Sequence, residues 1–598
     1  MQTAKNLPVD GQGLNPAPMR WNWKIAGMVA ALITAFALPQ VVNQYWAQIA
    51  TLAFIYWVLI AGLNLIVGFA GQLAIGFVGL LAIGAYTAAI LVEKAGWPSF
   101  VALIFAGGAG ALFGFLVGLP SLRLKSFYFA MTTLGFATIV AQVALGWESL
   151  TGGGVGLPGP VFPAPFDTYN GFYYLCLIIA LIATYLLANI AASNFGRGLV
   201  AVRDADVAAE AMGVPIVRLK LVTFTFSGVF AGVAGALFAS RQTYITPDAF
   251  TFDLSVLFFI AVLIGGRGRI VGPMLATVVL TLLPEIAAPL VAWSTFVYAL
   301  LLLLVVLLVP GGIAEFFEKF IVPKSSAEGI KPPQLSELPA VLGKIQRQGE
   351  LMVKGAMLSF GGVRALDGID FVVRPGTVHG LIGPNGSGKT TALNAISGFY
   401  RLNTGTISFS SHDLVAMTSE ERAKLGVART FQTPRVVGNL SVLENAMLGA
   451  YARFESNFGA VAIGLPKGRR EDGEIRKRAR HALEAVGLGQ LANLKAEQLQ
   501  HTEQRFLEIA RCLVMKPNLL LLDEPAAGLS HTEIDYLRSI VDGVKALGVA
   551  VLLVEHHTDL VFQISDDITV LNLGRVLARG TPAEVRSNQE VINAYLGS

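Results

Sequence analysis

Long apolar runs separated by short polar stretches dominate the first 310 residues of the chain. A helix needs about 20 apolar residues to cross roughly 30 Å of hydrocarbon, and most of these runs approach that length. The pattern therefore predicts a membrane domain over residues 1–310 that is entirely α-helical. The ten predicted spans lie near residues 22–39, 46–68, 73–92, 98–119, 127–146, 171–193, 217–240, 252–265, 270–289 and 293–310.

Basic residues fall in alternate loops between these spans, as expected when Lys and Arg remain on the cytosolic side. One set of loops offers only Lys94 and Arg241, whereas the other set carries Arg123, Lys125, Arg197, Arg203, Arg218, Lys220, Arg267 and Arg269. An even number of spans then predicts cytosolic N- and C-termini. The glycine-rich stretch Gly68 to Gly76 favours a broken or re-entrant helix and the run 252–265 is short, so eight or nine crossings are alternatives.

The pattern changes after the last apolar run. Residues 311–348 combine four prolines with Lys, Ser and Glu, which predicts a partly extended linker. From 349 to 598, short β-rich runs such as Val378 to Ile382, Leu519 to Leu522 and Ala550 to Val554 alternate with helical patterns. We therefore expect a membrane all-α domain of about 8–10 transmembrane helices fused to an α/β domain with a largely parallel sheet.

Composition agrees with this division and excludes several classes of protein. Hydrophobic residues make up 54% of the chain, charged residues 14%, and the mean hydropathy is +0.61, outside the range of soluble domains. The formal net charge of +4 comes without a clustered basic arm, so nucleic acid is not expected as a partner. Cys176 and Cys512 have no metal-site or disulfide spacing. The N-terminus lacks the order of a cleavable signal, so the first apolar run is interpreted as a retained span.

Residues 383–390 read GPNGSGKT, between an apolar strand pattern and a helical pattern. This spacing is that of a phosphate-binding loop, in which glycines let backbone N–H groups surround the phosphates. The lysine would reach the β and γ phosphates and the threonine would bind Mg²⁺. A chance match in a glycine-rich turn is the alternative. The predicted ATP-binding residues here are Gly383, Pro384, Asn385, Gly386, Ser387, Gly388, Lys389, Thr390 and Thr391.

A second motif supports the first. Residues 519–525 read LLLLDEP, an apolar strand that ends in two carboxylates. Asp523 is predicted to hold Mg²⁺ through water, and Glu524 to act as the general base toward the attacking water. The alternative, an acidic strand end without chemistry, is disfavoured by the phosphate-binding loop that precedes it. The two motifs together predict an enzyme that hydrolyses ATP.

These motifs resemble those of ABC ATPases. Gln432, in ARTFQ, matches the Q-loop glutamine of the family, which implies a Mg²⁺ contact and a sensor of the membrane domain. His556, in LLVEH, matches the switch histidine, which implies a contact with the γ-phosphate. Phe360, in LSFGG, stands where the family stacks an aromatic ring on adenine, with a core aromatic as the alternative. The resemblance implies ATP and Mg²⁺ as cofactors, and Glu524 and His556 as catalytic residues.

One motif departs from the family pattern. The signature helix of ABC ATPases normally opens LSGGQ or LSYGQ, whereas this chain has Leu499, Gln500, His501, Thr502 and Glu503. Gln500 and Thr502 replace the serine and the glycine that hold the γ-phosphate of the partner's nucleotide, and Glu503 is expected to add a repelling carboxylate. We therefore expect pairing with a different permease and a different ATP-binding subunit. The alternative is that this signature is tolerated in both sites of a homodimer.

The membrane half resembles the permease of branched-chain amino-acid importers, on LNLIVGFAGQLAIG from Leu63, YFAMTTLGF from Tyr128, LTGGGVGL from Leu150 and the cytosolic stretch Gly196 to Leu221. The second half is similar to the ATP-binding subunit of the same system as far as its C-terminal GTPAEVRSNQEVINAYLG. The cytosolic stretch resembles a coupling helix that docks on the ATPase near its Q-loop, with a solvated loop helix as the alternative. Its residues are Ala205, Ala208, Ala209, Glu210, Ala211 and Gly213.

The combined resemblance implies a subunit of an ATP-driven importer in the cytoplasmic (inner) membrane, for branched-chain or other small neutral amino acids. The predicted spans are nearly free of ionisable groups, which fits ATP as the energy source and a neutral or zwitterionic cargo. Urea, short amides and small carboxylates are alternative cargoes, and an ABC exporter or an ATP-gated channel are alternative functions. The expected partners are the lipid bilayer, a second permease, a second ATP-binding subunit and an extracytoplasmic binding protein.

Overall fold

The computed structural model describes residues 23–124, 126–287, 329–343 and 349–596, together with a few isolated positions between 293 and 303. Nearly all of the tenth predicted span and most of the predicted linker lie outside these described residues. Within them, the chain forms a helical membrane domain followed by an α/β domain. The predicted fold class is confirmed.

Nine helices of the membrane domain coincide with the first nine predicted spans. Six of the described helices are long and apolar enough to cross a membrane, and three further apolar helices are shorter. The helices of this domain are α1 (Trp23–Val41), α2 (Gln44–Asn64), α3 (Val78–Glu93), α4 (Ser99–Gly118), α5 (Ser126–Gly146), α6 (Glu148–Thr151), α7 (Tyr169–Ala191), α8 (Asn194–Asp204), α9 (Asp206–Ala211), α10 (Ile216–Arg241), α11 (Phe252–Gly265) and α12 (Val271–Ala287).

The predicted break after the second span is present. Helix α2 widens into a π-helix over Leu65–Phe69, and the chain is then non-helical until α3 begins. Irregular backbone at membrane depth is tolerated only where protein surrounds it; the π-helix is buried, and the non-helical residues after it are buried or half-buried. Arg203 of α8 donates a hydrogen bond to Gly68 O, and Asn64 Nδ2 donates to Arg269 O at 2.6 Å. These side chains replace part of the backbone hydrogen bonding that the break interrupts.

Close crossings at glycines hold the membrane domain together. Helices α4 and α10 meet at Gly110 and Gly228, where a Cβ on Gly110 would lie 2.1 Å from Gly228 O. On the other side of α10, a Cβ on Gly84 of α3 would lie 2.3 Å from Gly232 O. Lipid provides no hydrophobic drive for helices to associate, so close backbone packing supplies the contact. Helix α10 is therefore the central element between α3 and α4.

Part of the stretch predicted to be a linker is folded against the α/β domain. Helix α13 (Leu338–Leu342) buries its apolar side chains, and it packs on a long helix of that domain. The carboxylate of Glu337 lies 2.6 Å from His481 Nδ1 on the same long helix. Residues 329–343 thus form an outer layer of the α/β domain.

The strands comprise one short pair in the membrane domain and two sheets in the α/β domain. They are β1 (Leu157–Pro158), β2 (Tyr244–Ile245), β3 (Leu351–Phe360), β4 (Val363–Val373), β5 (Val378–Ile382), β6 (Thr404–Phe409), β7 (His412–Asp413), β8 (Val427–Arg429), β9 (Leu519–Asp523), β10 (Ala550–Val554), β11 (Asp567–Asn572) and β12 (Arg575–Gly580). The six-stranded sheet has the order β12-β11-β5-β10-β9-β8, parallel except for β12. The four-stranded sheet, β4-β3-β6-β7, is antiparallel.

The helices of the α/β domain follow the strands in the alternation that the sequence predicts, and the largely parallel core sheet is confirmed. These helices are α14 (Lys389–Ser397), α15 (Ser419–Lys424), α16 (Val442–Leu448), α17 (Phe458–Ala462), α18 (Pro466–Ala485), α19 (His501–Val514), α20 (His531–Ala546), α21 (Thr558–Ile564), α22 (Pro582–Ser587) and α23 (Gln589–Leu596).

Candidate active site

Four of the predicted motifs follow neighbouring strands of the six-stranded sheet. Strands β5, β10, β9 and β8 are adjacent and parallel, so their carboxyl ends share one edge. The loop Gly383–Gly388 follows β5, His556 follows β10, Asp523 ends β9 and Gln432 follows β8. The carboxyl edge of an open α/β sheet is the usual place for a ligand. Motifs that are far apart in the chain therefore meet at one site.

The loop after β5 is open on its outer side. Gly388 has a φ of +105°, and a Cβ there would lie 2.6 Å from Ala365 O, so the turn into α14 requires glycine. The loop leads directly into the N-terminus of α14, and the backbone N–H groups at the start of a helix stabilise an anion. Asn385, Gly386 and Thr390 are exposed, Pro384, Gly388 and Thr391 are half-buried, and Gly383, Ser387 and Lys389 are buried.

Lys389 lies across the loop. Its Nζ donates hydrogen bonds to Gly383 O at 2.7 Å and to Pro384 O at 3.0 Å. Burial lowers the pKa of Lys389, whereas the carboxylates of Glu524 and Asp523 act to raise it. The ammonium group is thus held beside the loop and close to the acidic end of β9.

Glu524 contacts two other predicted site residues. Its Oε2 accepts a hydrogen bond from Gln432 Nε2 at 2.9 Å, and its Oε1 lies 2.7 Å from His556 Nε2. The residue has a φ of +48°, which is uncommon for a side chain larger than glycine and is typical of functional positions. Its N–H donates to Val554 O at 2.8 Å, which holds this conformation. The carboxylate therefore stands between the Q-loop glutamine and the switch histidine.

Asp523 is buried beside Arg429, whose Nη2 lies 3.0 Å from its Oδ2. Burial raises the pKa of Asp523, and the charge of Arg429 opposes that shift. Its Oδ1 is buried and has no hydrogen-bond partner among the residues that the structure describes. A buried carboxylate oxygen is costly unless a donor or a cation meets it. This oxygen fits a divalent cation, for which Thr390 and Gln432 offer further oxygen ligands.

Phe360 is not part of the core. The residue ends β3 and is 46% exposed, with its ring edge-to-face against Tyr400 at a centroid distance of 5.1 Å. The alternative interpretation of Phe360 as a core aromatic is therefore wrong. An exposed ring is free to stack on a planar ligand.

The altered signature opens α19. Glu503 is only 1% exposed, and its Oε2 accepts the N–H of Gln500 at 2.8 Å, so it caps its own helix. A carboxylate that is buried and bonded to its own helix is not presented on the surface that a partner would meet, so this structure does not support the expected repulsion. Gln500 and His501 are exposed and Thr502 is half-buried. Gln500, His501 and Thr502 are thus the altered signature residues that remain accessible to a partner subunit.

Family models match both halves of the chain. The model described as "Branched-chain amino acid transport system / permease component" matches residues 45–309, and "ABC transporter" matches 366–527. A third, "Branched-chain amino acid ATP-binding cassette transporter", matches 575–598. The high-affinity branched-chain amino acid transport ATP-binding protein BraF of Pseudomonas aeruginosa is 41% identical over 248 residues, covering 41% of this chain and 97% of BraF. The chain belongs to the branched-chain amino-acid ABC transporter family.

Two relatives from Escherichia coli extend this result to both halves. The ATP-binding protein LivG is 40% identical over 248 residues, 41% of this chain and 97% of its own length. The permease protein LivM is 34% identical over 313 residues, 48% of this chain and 74% of its own length. This branched-chain amino-acid ABC transporter therefore joins in one chain what LivM and LivG carry separately. It is a multi-pass inner-membrane ATP hydrolase coupled to transport, and it works in a complex with other subunits.

Sequence reasoning missed the residues of this ABC transporter whose hydrogen bonds connect the signature helix to the active site. Arg505 Nη1 donates to Glu524 O at 2.9 Å, and its Nη2 donates to Gln432 O at 3.1 Å. One buried guanidinium thus holds the backbone of two site residues. Arg505 stands in α19 at a buried position, and a charge where the helical period requires an apolar side chain is the signal that could have identified it.

Glu508 makes a second connection between α19 and the loop that contains Gln432. Its carboxylate accepts the N–H groups of Phe431 at 3.2 Å and Arg435 at 2.7 Å, and it pairs with Arg511 at 3.0 Å. The carboxylate therefore clamps the Q-loop of the transporter onto α19. Sequence reasoning also missed Arg429, a charged residue in the otherwise apolar strand β8, which pairs with Asp523.

The predicted coupling helix of the permease lies on the ATPase. Helix α9 contacts α15, and its Ala208 and Ala209 are fully buried. Gly213 has a φ of +77°, and a Cβ there would lie 2.7 Å from the Cβ of Ala452. Burial raises the pKa of Glu210, which a hydrogen bond with Ser419 opposes. Ala205 precedes α9 and is half-buried, as are Glu210 and Ala211. A helix packed in this way is not a solvated loop helix.

Proposed function

We propose that this chain is the permease-and-ATPase subunit of an importer for branched-chain or other small neutral amino acids. The observation that carries the proposal is that each half, taken alone, is similar to a protein named for branched-chain amino acid transport. The same similarity does not favour urea, short amides or small carboxylates as the cargo.

ATP hydrolysis is assigned to the carboxyl edge of the parallel sheet. The loop Gly383–Thr391 holds the phosphates, and Lys389 neutralises part of their charge. Glu524 takes the proton of the attacking water, because its carboxylate follows β9 and is held between Gln432 and His556, beside the phosphate loop. His556 contacts the γ-phosphate, and Phe360 stacks on the adenine.

Mg²⁺ is assigned to the buried end of the same site. Asp523 offers Oδ1, which accepts no hydrogen bond from the described part of the chain, while Thr390 and Gln432 lie at the start of α14 and after β8. A bound Mg²⁺ would neutralise charge on the β and γ phosphates during transfer. Arg429 keeps the other oxygen of Asp523 in place.

The working unit is proposed to be a hetero-assembly. In ABC ATPases, each nucleotide lies between the phosphate loop of one subunit and the signature helix of the other. This chain would complete one site with an intact signature of a different ATP-binding subunit. Its own Gln500 and Thr502 would face the nucleotide of that partner, without the serine hydroxyl and the glycine that hold the phosphate. A second permease subunit would complete the membrane part.

Coupling is assigned to α9 and its flanking residues, Ala205 to Gly213. These residues pack on the ATPase as a short rigid helix, so movement of the ATPase domain would be passed to α10 as rigid-body motion. Both termini are placed in the cytosol, and the cargo would be delivered by an extracytoplasmic binding protein on the opposite side.

The test is uptake by the purified complex in proteoliposomes with ATP inside and the binding protein outside. Radiolabelled leucine, valine, alanine, urea and acetamide serve as the panel. We expect ATP-dependent accumulation of the branched-chain amino acids against a gradient, and loss of uptake without the binding protein. Accumulation of urea alone, uptake that only equilibrates, or full uptake without the binding protein would contradict the proposal.

A further inference from the structure

One segment of the ATPase domain contacts two membrane-spanning helices, α7 and α10. Helix α17 and the residues that follow it, 463–465, lie against α7 of the permease. Phe458 of α17 is buried, with ring centroids 5.2 Å from Phe195 and 5.4 Å from Phe226. Phe226 lies ten residues into α10, about 15 Å along the helix axis. The segment is therefore not confined to contacts with cytosolic loops.

Hydrogen bonds fix this segment to the ATPase-side end of α7. Asn189 Nδ2 donates to Ala462 O at 2.9 Å, and Tyr185 Oη donates to Ile463 O at 3.4 Å. Tyr185 lies six residues before the end of α7, about 9 Å inside it along the axis. Gly464 has a φ of +75°, and a Cβ there would lie 2.5 Å from Tyr185 Oη, so only glycine allows this approach.

The apolar side chains of the segment continue an exposed stripe on α7. Ile178, Ile182 and Tyr185 recur at helical spacing, and all three are exposed. Next to Tyr185, the ATPase adds Ile463, which is 57% exposed, and Leu465, which is 46% exposed. A contiguous group of exposed apolar side chains on a membrane protein marks a surface that contacts lipid or another protein rather than water.

A cation stands beside this stripe. Arg469 Nη2 donates to Tyr185 Oη at 3.3 Å and lies 3.5 Å from Asn189 Oδ1, and the arginine is exposed. The neighbouring Lys467 pairs instead with Glu455 at 3.4 Å. Tyrosine and arginine at one level, below an apolar stripe, are typical of a membrane interface, where lipid phosphates are anionic.

We propose that the ATPase domain inserts Ile463 and Leu465 into the cytosolic leaflet, with Arg469 bound to the phosphate of an anionic lipid. The occupant is a lipid surface because the apolar stripe belongs to a helix of membrane-spanning length and ends in a tyrosine and an exposed arginine. The segment thereby anchors the ATPase domain to the bilayer beside its permease, independently of the coupling helix and of the cargo.

The first test measures how deeply residue 463 lies in the bilayer. The assembled transporter is reconstituted in nanodiscs of phosphatidylcholine and phosphatidylglycerol. A fluorophore is attached to Ile463→Cys, and the chain's own two cysteines, Cys176 and Cys512, are buried. A nitroxide on the lipid acyl chain close to the headgroup should quench this probe about twofold or more. The matched control is Leu573→Cys, 79% exposed in the turn between β11 and β12, where little quenching is expected.

Equal quenching at the two positions would overturn the proposal. A probe at residue 463 that reports an apolar environment but is not quenched from the lipid would also overturn it, since another subunit would then cover the segment. Retained ATPase activity of both labelled variants verifies that they are folded.

The second test concerns the cation. ATPase activity of the complex is compared in nanodiscs with and without phosphatidylglycerol, for the unsubstituted chain, Arg469→Gln and Arg476→Gln. Arg476 is an exposed arginine on the same helix. We expect Arg469→Gln alone to lose about half or more of the response to the anionic lipid. No response in the unsubstituted chain, or the same response in Arg469→Gln, would overturn the contact between Arg469 and lipid phosphate.

Discussion

Asn439 of the ATPase donates a hydrogen bond to the carboxylate of Asp204 of the permease at 2.9 Å. Partial burial acts to raise the pKa of Asp204, but hydrogen bonds from Arg203 and Asn439 outweigh it and lower the pKa. Arg203 also donates to Gly68 O, in the broken part of the second span. Asn439 stands in the same loop as Gln432, between β8 and α16. A continuous series of contacts therefore joins the Q-loop to irregular backbone within the membrane.

We predict that Asp204→Ala weakens the coupling between ATP hydrolysis and transport. The substitution removes the acceptor shared by Arg203 and Asn439, while the nucleotide site itself is untouched. Uptake per ATP hydrolysed should fall by about fivefold or more, the size of a coupling free energy of roughly 1 kcal/mol. Parallel measurements of uptake and phosphate release in proteoliposomes check this. Glu590→Ala, which removes an exposed carboxylate of α23, should leave the ratio unchanged. A ratio in Asp204→Ala equal to that of this control would contradict the prediction.

Glu524→Gln should retain ATP binding and lose nearly all hydrolysis. Glutamine keeps the size of the side chain and can still contact Gln432 and His556, but it cannot accept the proton of the attacking water. Binding of a labelled ATP analogue and release of phosphate by the purified transporter are the two measurements, with the exposed Glu590→Gln as control. Hydrolysis above about a tenth of the unsubstituted rate would exclude Glu524 as the base.

Glu508 is expected to be a stability determinant of the ATPase domain. Glu508→Ala leaves Arg511 and the N–H groups of Phe431 and Arg435 buried without their acceptor, which costs roughly 3–5 kcal/mol. Thermal unfolding of the complex in detergent should begin about 5 °C or more lower. Glu508→Gln keeps one acceptor oxygen, so its unfolding should begin at a temperature between those of the unsubstituted chain and Glu508→Ala. Exposed Glu474→Gln is the matched control, and a transition unchanged in Glu508→Ala would refute the clamp.

The two nucleotide sites of the hetero-assembly are predicted to be unequal. Lys389→Ala removes the cation of the site that is completed by the partner's intact signature, so it should abolish about nine-tenths or more of ATPase activity. The equivalent substitution in the partner affects the site that faces Gln500 and Thr502, and it should cost about half or less. Tagged complexes carrying one substitution at a time give the comparison. Equal losses, or a fully active complex that contains only this chain, would disprove the asymmetry.

The membrane helices and the nucleotide motifs could be predicted because local patterns carry them. Apolar length alone located nine of the twelve described helices of the membrane domain, and the break near Gly68 followed from its glycines. The phosphate loop and the acidic end of β9 are encoded by spacing, and parallel strands then bring them to one edge. These features depend on short segments, whose conformation the neighbouring residues decide.

Side-chain direction and long-range contact could not be predicted in this way. Glu503 was expected to face a partner's phosphate, but helix capping turned it inward, where it binds the N–H of Gln500. Arg505 reaches Gln432 O, and Tyr185 of the permease meets Ile463 of the ATPase 278 residues later. Such contacts arise only when separate elements pack, because buried donors and acceptors must find partners wherever the fold brings them together.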